Sequence, residues 1–227
     1  MKSKLTSIIV LISFINFGQD STKKSWDTPV KHEIGTDVTA LITNTISFGF
    51  FPTQPAPFQL IYRYHINPKL ALRERIGGYY NSSQGFSNDT NQIKSTYSQL
   101  AINSGIELKK QLSKRWQFYY GIDFGYALSG NNNYTEYGVA PYNYESTIKS
   151  TTNAFNASPL LGIRFKISPN ISLTTESALN CTYSSSNQTY SIIYPNLPNN
   201  NIDSKNESTS FNTNISAPIY LYLNISF

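Results

Sequence analysis

The sequence predicts an all-β fold: an eight-stranded antiparallel up-and-down transmembrane β-barrel. Three observations predict it. Apolar and polar residues alternate with a period of two through eight segments, as they do in strands with unlike faces. The connections alternate long and short, as in a barrel with tight turns at one end and loops at the other. The apolar face is also too crowded to point inward. One segment alone places Trp116, Phe118, Tyr120, Ile122, Phe124, Tyr126 and Leu128 on it, whereas eight strands enclose room for a packed set of side chains or one small ligand. The opposite face mixes Ala101, Gly105, Gly121, Gly125, Ala127, Gly162 and Ala178 with a few long charged groups. That mixture suits a narrow, filled lumen. A soluble lipocalin-like barrel is the architectural rival. It turns its apolar face inward and predicts a protein that stays in buffer without detergent.

The 227 residues fit one barrel domain. Residues 1–18 read as a signal peptide. Lys2 and Lys4 precede an apolar run from Leu5 to Phe17, and Gly18 is a small residue before the cut. A short membrane anchor is the other reading of that run, which is brief for a span. Residues 19–30 are a polar lead-in without a fold of its own, and 31–227 form the barrel. No run of eighteen apolar residues follows the amino terminus, which argues against a helical span. Without Lys2 and Lys4 the chain has 16 basic and 13 acidic residues. This imbalance is too weak to argue for nucleic acid or a polybasic membrane patch. The lone Cys181 allows no internal disulfide and no cysteine-based metal site.

The first strand is expected at about 32–42, with Ile34, Val38, Ala40 and Ile42 on one face and Gly35, Asp37 and Thr39 on the other. Pro52, Pro55 and Pro57 mark the loop after it. The second, about 57–66, alternates Phe58, Leu60, Tyr62, Tyr64 and Ile66 with Gln59, Ile61, Arg63 and His65. Asn67-Pro68-Lys69 is a tight turn. The third, about 69–80, alternates Leu70, Leu72 and Ile76 with Ala71, Arg73, Arg75 and Gly77. Glu74 falls on the apolar parity, which a bulge would explain by a local shift of register. The fourth, about 95–110, sets Leu100, Ile102, Ile106 and Leu108 opposite Ala101, Asn103, Gly105, Glu107 and Lys109. A turn at Leu112-Ser113-Lys114 leads to the fifth strand, described above, whose polar face carries Gln117, Tyr119 and Asp123. The sixth ends near Ile167 and alternates Leu161, Ile163 and Phe165 with Gly162, Arg164 and Lys166. After Ser168-Pro169-Asn170, the seventh, about 171–183, sets Ile171, Leu173, Leu179, Cys181 and Tyr183 opposite Ser172, Thr174, Glu176, Ala178 and Asn180. The eighth, about 207–227, puts Ile215, Ala217, Ile219, Leu221, Leu223, Ile225 and Phe227 on one parity.

On the inward face, Asp37, Glu107, Asp123 and Glu176 meet Arg63, Arg73, Arg75, Lys109, Arg164 and Lys166. Charges shielded from water cost on the order of several kcal/mol each unless they are paired. The expectation is an internal ion network that plugs the lumen; a gated ion path or small-ligand pocket is the functional alternative. His32 and His65 lie beside the short turns, and neither a G-x-S-x-G nor a His-x-Ser pattern occurs. No paired His or Cys ligands suggest zinc and no Gly-rich phosphate loop occurs. The reading is therefore non-enzymatic, with no cofactor and no metal. Loops 81–94, 130–146 and 184–206 are rich in Asn, Ser, Thr and Tyr, residues that suit hydrogen bonding to an external ligand and equally suit hydrated surface loops.

The closing stretch, with Leu221, Leu223, Ile225 and the terminal Phe227, resembles the last strand of bacterial outer-membrane barrels. Their final residue is typically Phe and is read by the barrel-assembly machinery. With its signal peptide, eight alternating segments and turn asymmetry, the chain resembles the small OmpA/OmpX-type outer-membrane β-barrel family, particularly the porin-like barrel domains of Bacteroidetes. The resemblance implies export to the cell outer membrane of a Gram-negative bacterium, with outer-membrane lipids and the assembly machinery as partners. That family includes structural, adhesive and small-pore members, so no single activity follows. A structural or surface-interaction role through the loops leads. A small porin and a lipid-modifying enzyme are the alternatives.

Overall fold

The computed structural model describes residues 30–39, 58–87, 91–138 and 143–227. The strands are β1 (His32–Asp37), β2 (Phe58–Asn67), β3 (Leu70–Ser87), β4 (Asn91–Gln111), β5 (Trp116–Tyr137), β6 (Tyr144–Lys166), β7 (Ile171–Ile193) and β8 (Ile202–Ser226). Each pairs antiparallel with the next, and β1 pairs with β8, so the sheet closes into an eight-stranded up-and-down barrel. The signal peptide and nearly all of the lead-in predicted for residues 1–30 lie outside the described residues. So do the predicted end of the first strand beyond Thr39 and the proline-containing loop after it.

Alternation sorts the two faces as the side-chain period requires. Ile61, Arg63, Ala71, Arg73, Tyr119 and Tyr222 are buried within, while Ile76, Ile102, Phe124, Leu161 and Ile225 stand exposed on the outer wall. This distribution is the reverse of a soluble barrel, whose apolar residues fill the interior.

Three short turns, after β2, β4 and β6, use one device. A polar side chain at the start of each accepts backbone N–H groups that the ladder leaves over. Asn67 Oδ1 accepts from Lys69 and Leu70 at 2.8 and 2.9 Å. Ser113 Oγ accepts from Trp116 at 3.2 Å, and Ser168 Oγ from Asn170 and Ile171 at 3.4 and 3.1 Å.

At the opposite end the structure corrects the sequence reading. The stretches expected as loops are largely strand. β3 runs on to Ser87 and β4 starts at Asn91; β5 reaches Tyr137 and β6 starts at Tyr144; β7 reaches Ile193 and β8 starts at Ile202. A 3-10 turn at Pro198–Asn200 sits in the last hairpin. These extensions are polar on both faces, so the apolar period is silent there although the backbone ladder continues. The first strand is shorter than expected, ending at Asp37. Glu74 has no bulge to excuse it: β3 and β4 keep one register from Leu70 to Ser87. It stands exposed on the outer wall and accepts a 2.6 Å hydrogen bond from Ser104 Oγ, its cross-strand partner. The β7–β8 ladder does shift, between Glu176 opposite Tyr220 and Ala178 opposite Ser216. Pro218 falls within that irregularity, where a strand tolerates a residue without an N–H.

Aromatic residues bound the apolar band at both ends. One cross-strand row joins Tyr126, Phe155, Tyr183 and Phe211 on β5 to β8, all of them exposed. Nearer the short turns, Trp116 packs on Phe165 with centroids 4.7 Å apart, and His32 lies against Tyr64 and Phe227 at 5.5 and 5.7 Å.

Inside, Gly162 makes room for Tyr119. A Cβ on Gly162 would lie 2.7 Å from the Thr175 carbonyl oxygen and closer still to the Tyr119 ring. Gly162→Ala should therefore destabilise the barrel by at least about 1–3 kcal/mol, the cost of overpacking a filled interior. Equilibrium urea unfolding in detergent micelles would measure it; an unchanged midpoint would contradict this packing.

Candidate functional site

The inward positions of β1 to β8 converge on one polar core. Toward the short-turn end, Arg63 Nη1 lies 2.6 Å from Glu33 Oε1 and Arg63 Nε lies 2.9 Å from Glu107 Oε2. Arg164 Nη2 reaches the same two carboxylates at 3.1 and 3.2 Å, and its Nη1 donates to Gln117 Oε1 at 2.6 Å. Asn224 Oδ1 accepts from Arg63 at 2.9 Å. The Tyr119 ring stands beside both guanidinium groups, at 5.8 and 5.5 Å.

One level further along the axis, Arg73 Nη2 sits 3.0 Å from both oxygens of Glu176, and its Nε lies 3.0 Å from Asp123. Arg75 reaches the same two carboxylates at 3.2 and 3.4 Å. Glu107 links the levels, since Arg73 Nη1 approaches it at 3.6 Å. Tyr119 adds a second link by donating to Glu176 Oε2 at 3.2 Å. The four carboxylates and Arg63, Arg73 and Arg164 are at most 5% exposed, and Arg75 closes the upper edge. Four guanidinium groups thus face four carboxylates, and the plug is neutral. Neutrality matters because an uncompensated charge in a low-dielectric interior costs on the order of several kcal/mol, comparable to a whole domain's stability margin.

Of the residues the sequence placed in the lumen, Arg63, Arg73, Arg75, Glu107, Asp123, Arg164 and Glu176 meet in this network. Asp37, Lys109 and Lys166 do not. Asp37 sits at the end of β1 and accepts from the Thr39 N–H and hydroxyl at 2.8 and 2.6 Å. Thr39 in turn accepts from Leu221 N at 2.7 Å. Asp37 therefore ties the β1 end to β8, beyond the reach of the inward arginines. Lys109 lies nearer the short turns, its Nζ 2.5 Å from His65 Nδ1. His65 Nε2 faces Glu33 at 3.5 Å, which assigns the ring proton to Nε2. Lys166, at the end of β6, lines the short-turn mouth.

Sequence reasoning set Gln117, Tyr119, Tyr222 and Asn224 on the polar parity of their strands without counting them in the network, and it left Glu33 out. The signal for them was parity. Glu33 shares the inward parity of Gly35 and Asp37, and Tyr222 and Asn224 that of Ser226. Tyr222 donates to Gln59 Oε1 at 2.7 Å, and Asn224 donates to Thr174 Oγ1 at 3.1 Å. The terminal residues singled out on resemblance lie on the outer wall: Leu221 and Leu223 half-buried, Ile225 and Phe227 exposed. Among the described residues no group of three His, Cys, Asp or Glu side chains is placed to hold a metal ion.

Fold and core together define a class: a closed up-and-down barrel with an apolar outer wall and a neutral ion-paired plug. No protein-family model and no curated protein matches the chain. Solved structures that resemble it include three at low identity. The attachment invasion locus protein Ail of Yersinia pestis is 10% identical with a TM-score of 0.34, over 87% of this chain and 93% of that one. CarO2 of Acinetobacter baumannii is 8% identical with a TM-score of 0.40, over 88% and 98%. CarO of the same organism is 9% identical with a TM-score of 0.36, over 89% and 98%. These values carry no role from those proteins to this chain.

Glu107→Ala should leave Arg63 and Arg164 facing one carboxylate where they had two. A loss of about 3–5 kcal/mol is expected, the cost of breaking a buried pair from one side, read as a lower urea midpoint in micelles. An unaltered midpoint would show that the plug does not hold the barrel together.

Proposed function

We propose that the protein is an integral outer-membrane barrel, non-enzymatic and closed to solutes, with a structural or surface-interaction role exercised through its long hairpins. The observation that carries this reading is the neutral plug inside an apolar wall.

The height of the apolar band supports the membrane assignment. Trp116 and Tyr126 bound it on β5. At about 3.3 Å per residue and a tilt of about 40°, their separation corresponds to about 25 Å along the barrel axis. A transmembrane barrel carries a lipid-facing band of about that height between aromatic girdles. A spanning strand needs about 9–11 residues, whereas β5 to β8 have 22, 23, 23 and 25. The surplus lies at the hairpin end. On this reading the short turns face the periplasm and the hairpins around 81–94, 130–146 and 184–206 stand outside the cell. There their Asn, Ser, Thr and Tyr side chains are available to an external ligand. Phe227, Ile225, Leu223 and Leu221 then serve as the strand recognised by the assembly machinery, as the resemblance to the OmpA/OmpX-type barrels implies.

The plug opposes the small-porin reading. Arg63, Arg73, Glu107 and Asp123 fill the axis and are anchored on four different strands, so a conducting path requires several ion pairs to separate together.

Two measurements test this. The protein should remain in the outer-membrane pellet of fractionated cells and shift mobility between unheated and boiled gel samples; recovery in the soluble fraction would overturn the membrane assignment. Purified protein in a planar bilayer should give no stable, large single-channel conductance. Regular openings would overturn the closed plug and favour the porin.

A further inference from the structure

We propose that the free edge of β8, from Ile202 to Ser210, takes up an extended segment of another protein as an added strand, one that carries basic, acidic and basic side chains at alternate positions. β7 pairs with this stretch on one side without a break, from Ile192 opposite Ile202 to Ser184 opposite Ser210. On the other side the β1 ladder stops at Asp37 opposite Tyr222, with one further bond from Val38 N to Leu221 O. Among the described residues nothing bonds the backbone of 202–210 on that side, and every residue of the stretch is exposed. The chain's own β1–β2 connection does not reach so far. Twenty residues, 38 to 57, separate the two strands. Folded back through a two-residue turn they make two arms of about nine residues, and the first arm then ends opposite about Phe211. An unpaired edge about 30 Å long is left above it.

The backbone sets the class of ligand. Near the short turns, Ser226 N donates to Asn170 O on the β7 side, whereas Phe227 and His32 exchange bonds on the β1 side at 2.9 and 3.2 Å. Even residues of β8 therefore bond β7 and odd ones face the other way. The irregularity near Pro218 keeps that parity, since Tyr220 to Ser216 spans four steps against two from Glu176 to Ala178. Asp203, Lys205, Glu207 and Thr209 thus turn both N–H and C=O to the open edge. A row of donors and acceptors at that spacing is matched by another extended backbone.

The side chains set which segment fits. Asp203, Lys205 and Glu207 share the outer face and are unpaired among the described residues. The inner face, Ile202, Ser204, Asn206, Ser208 and Ser210, carries no charge. A lysine on an edge strand commonly blunts it against pairing, but here the sign alternates. A strand with a basic, an acidic and a basic residue on one face meets each charge with its opposite. A neighbouring copy upright in the same membrane runs its β8 parallel to this one and, at equal height, sets like charge against like. That the partner comes from outside the cell rests on the orientation proposed above; the edge itself does not.

The test uses the full mature chain, refolded in detergent micelles and titrated by isothermal calorimetry with a synthetic threonine peptide carrying Lys, Glu and Lys at alternate positions. Saturable binding is expected. The same peptide with Glu, Lys and Glu should bind about tenfold more weakly. The variant Asp203→Lys, Lys205→Glu, Glu207→Lys should reverse that preference. Thr209→Pro removes an N–H from the open edge and leaves the β7 ladder intact; it should weaken the first peptide about fivefold. Each variant's heat-shifted gel mobility must match the parent's, and Lys205→Glu alone replaces any that fails to fold. Absence of saturable heat in folded protein, or equal binding of the two peptides, would overturn the site. Clumping of peptide-free proteoliposomes that Thr209→Pro abolishes would give the edge to a second copy and overturn the partner named here. Peptide bound in micelles but not by intact cells carrying the protein would uphold the edge and overturn the outward orientation instead.

Discussion

The barrel depends on matching charge inside a cylinder too narrow to hydrate it. Each guanidinium group on the inner wall has to meet carboxylates that come from other strands. Arg63 on β2 is held by β1 and β4, Arg164 on β6 by β1 and β4, and Arg73 on β3 by β4, β5 and β7. None of these arginines is satisfied by one hairpin's own side chains. A strand slipped by one residue would turn its charge toward the outer wall and leave its partners alone in the interior. The network therefore selects register as well as closure, the best-attested use of buried ionic groups. Its small neighbours follow from the same crowding, as Gly162 beneath the Tyr119 ring illustrates.

The outer wall obeys the complementary rule. It carries little that needs water, and the Glu74 carboxylate, between Leu72 and Ile76 on that face, is satisfied in part by the Ser104 hydroxyl. Polar groups on a hydrocarbon-facing surface are costly unless bonded, and a serine placed directly across the ladder is the shortest available remedy. The unlike solvents of the two walls explain why so little apolar surface is buried inside.

That difference also sets what the sequence could reveal. Where one face meets lipid and the other the plug, the period of two is strong, and strand order, both faces and most of the ion network follow from it. Where both faces meet water, as in 81–87, 131–137 and 184–193, nothing alternates, and Asn- and Ser-rich ribbon reads as loop. Asp37 and Glu33 show a second limit. Both have inward parity, and depth along the axis decides which one reaches Arg63. Depth follows from the stagger between strands, a property of the closed sheet that no single segment carries. Lys109 and Lys166 were assigned to the plug for the same reason and lie at the mouth instead.

The seam between β1 and β8 joins segments about two hundred residues apart in the chain, through five register pairs from Glu33–Ser226 to Asp37–Tyr222. The other ladders connect neighbours in sequence, and most are several times longer. Bringing such distant ends together carries the largest loop-closure entropy of any ladder, and few backbone bonds reward it. Closure of this seam therefore leans on buried contacts that only the finished cylinder provides, such as Glu33 on β1 with Arg164 on β6.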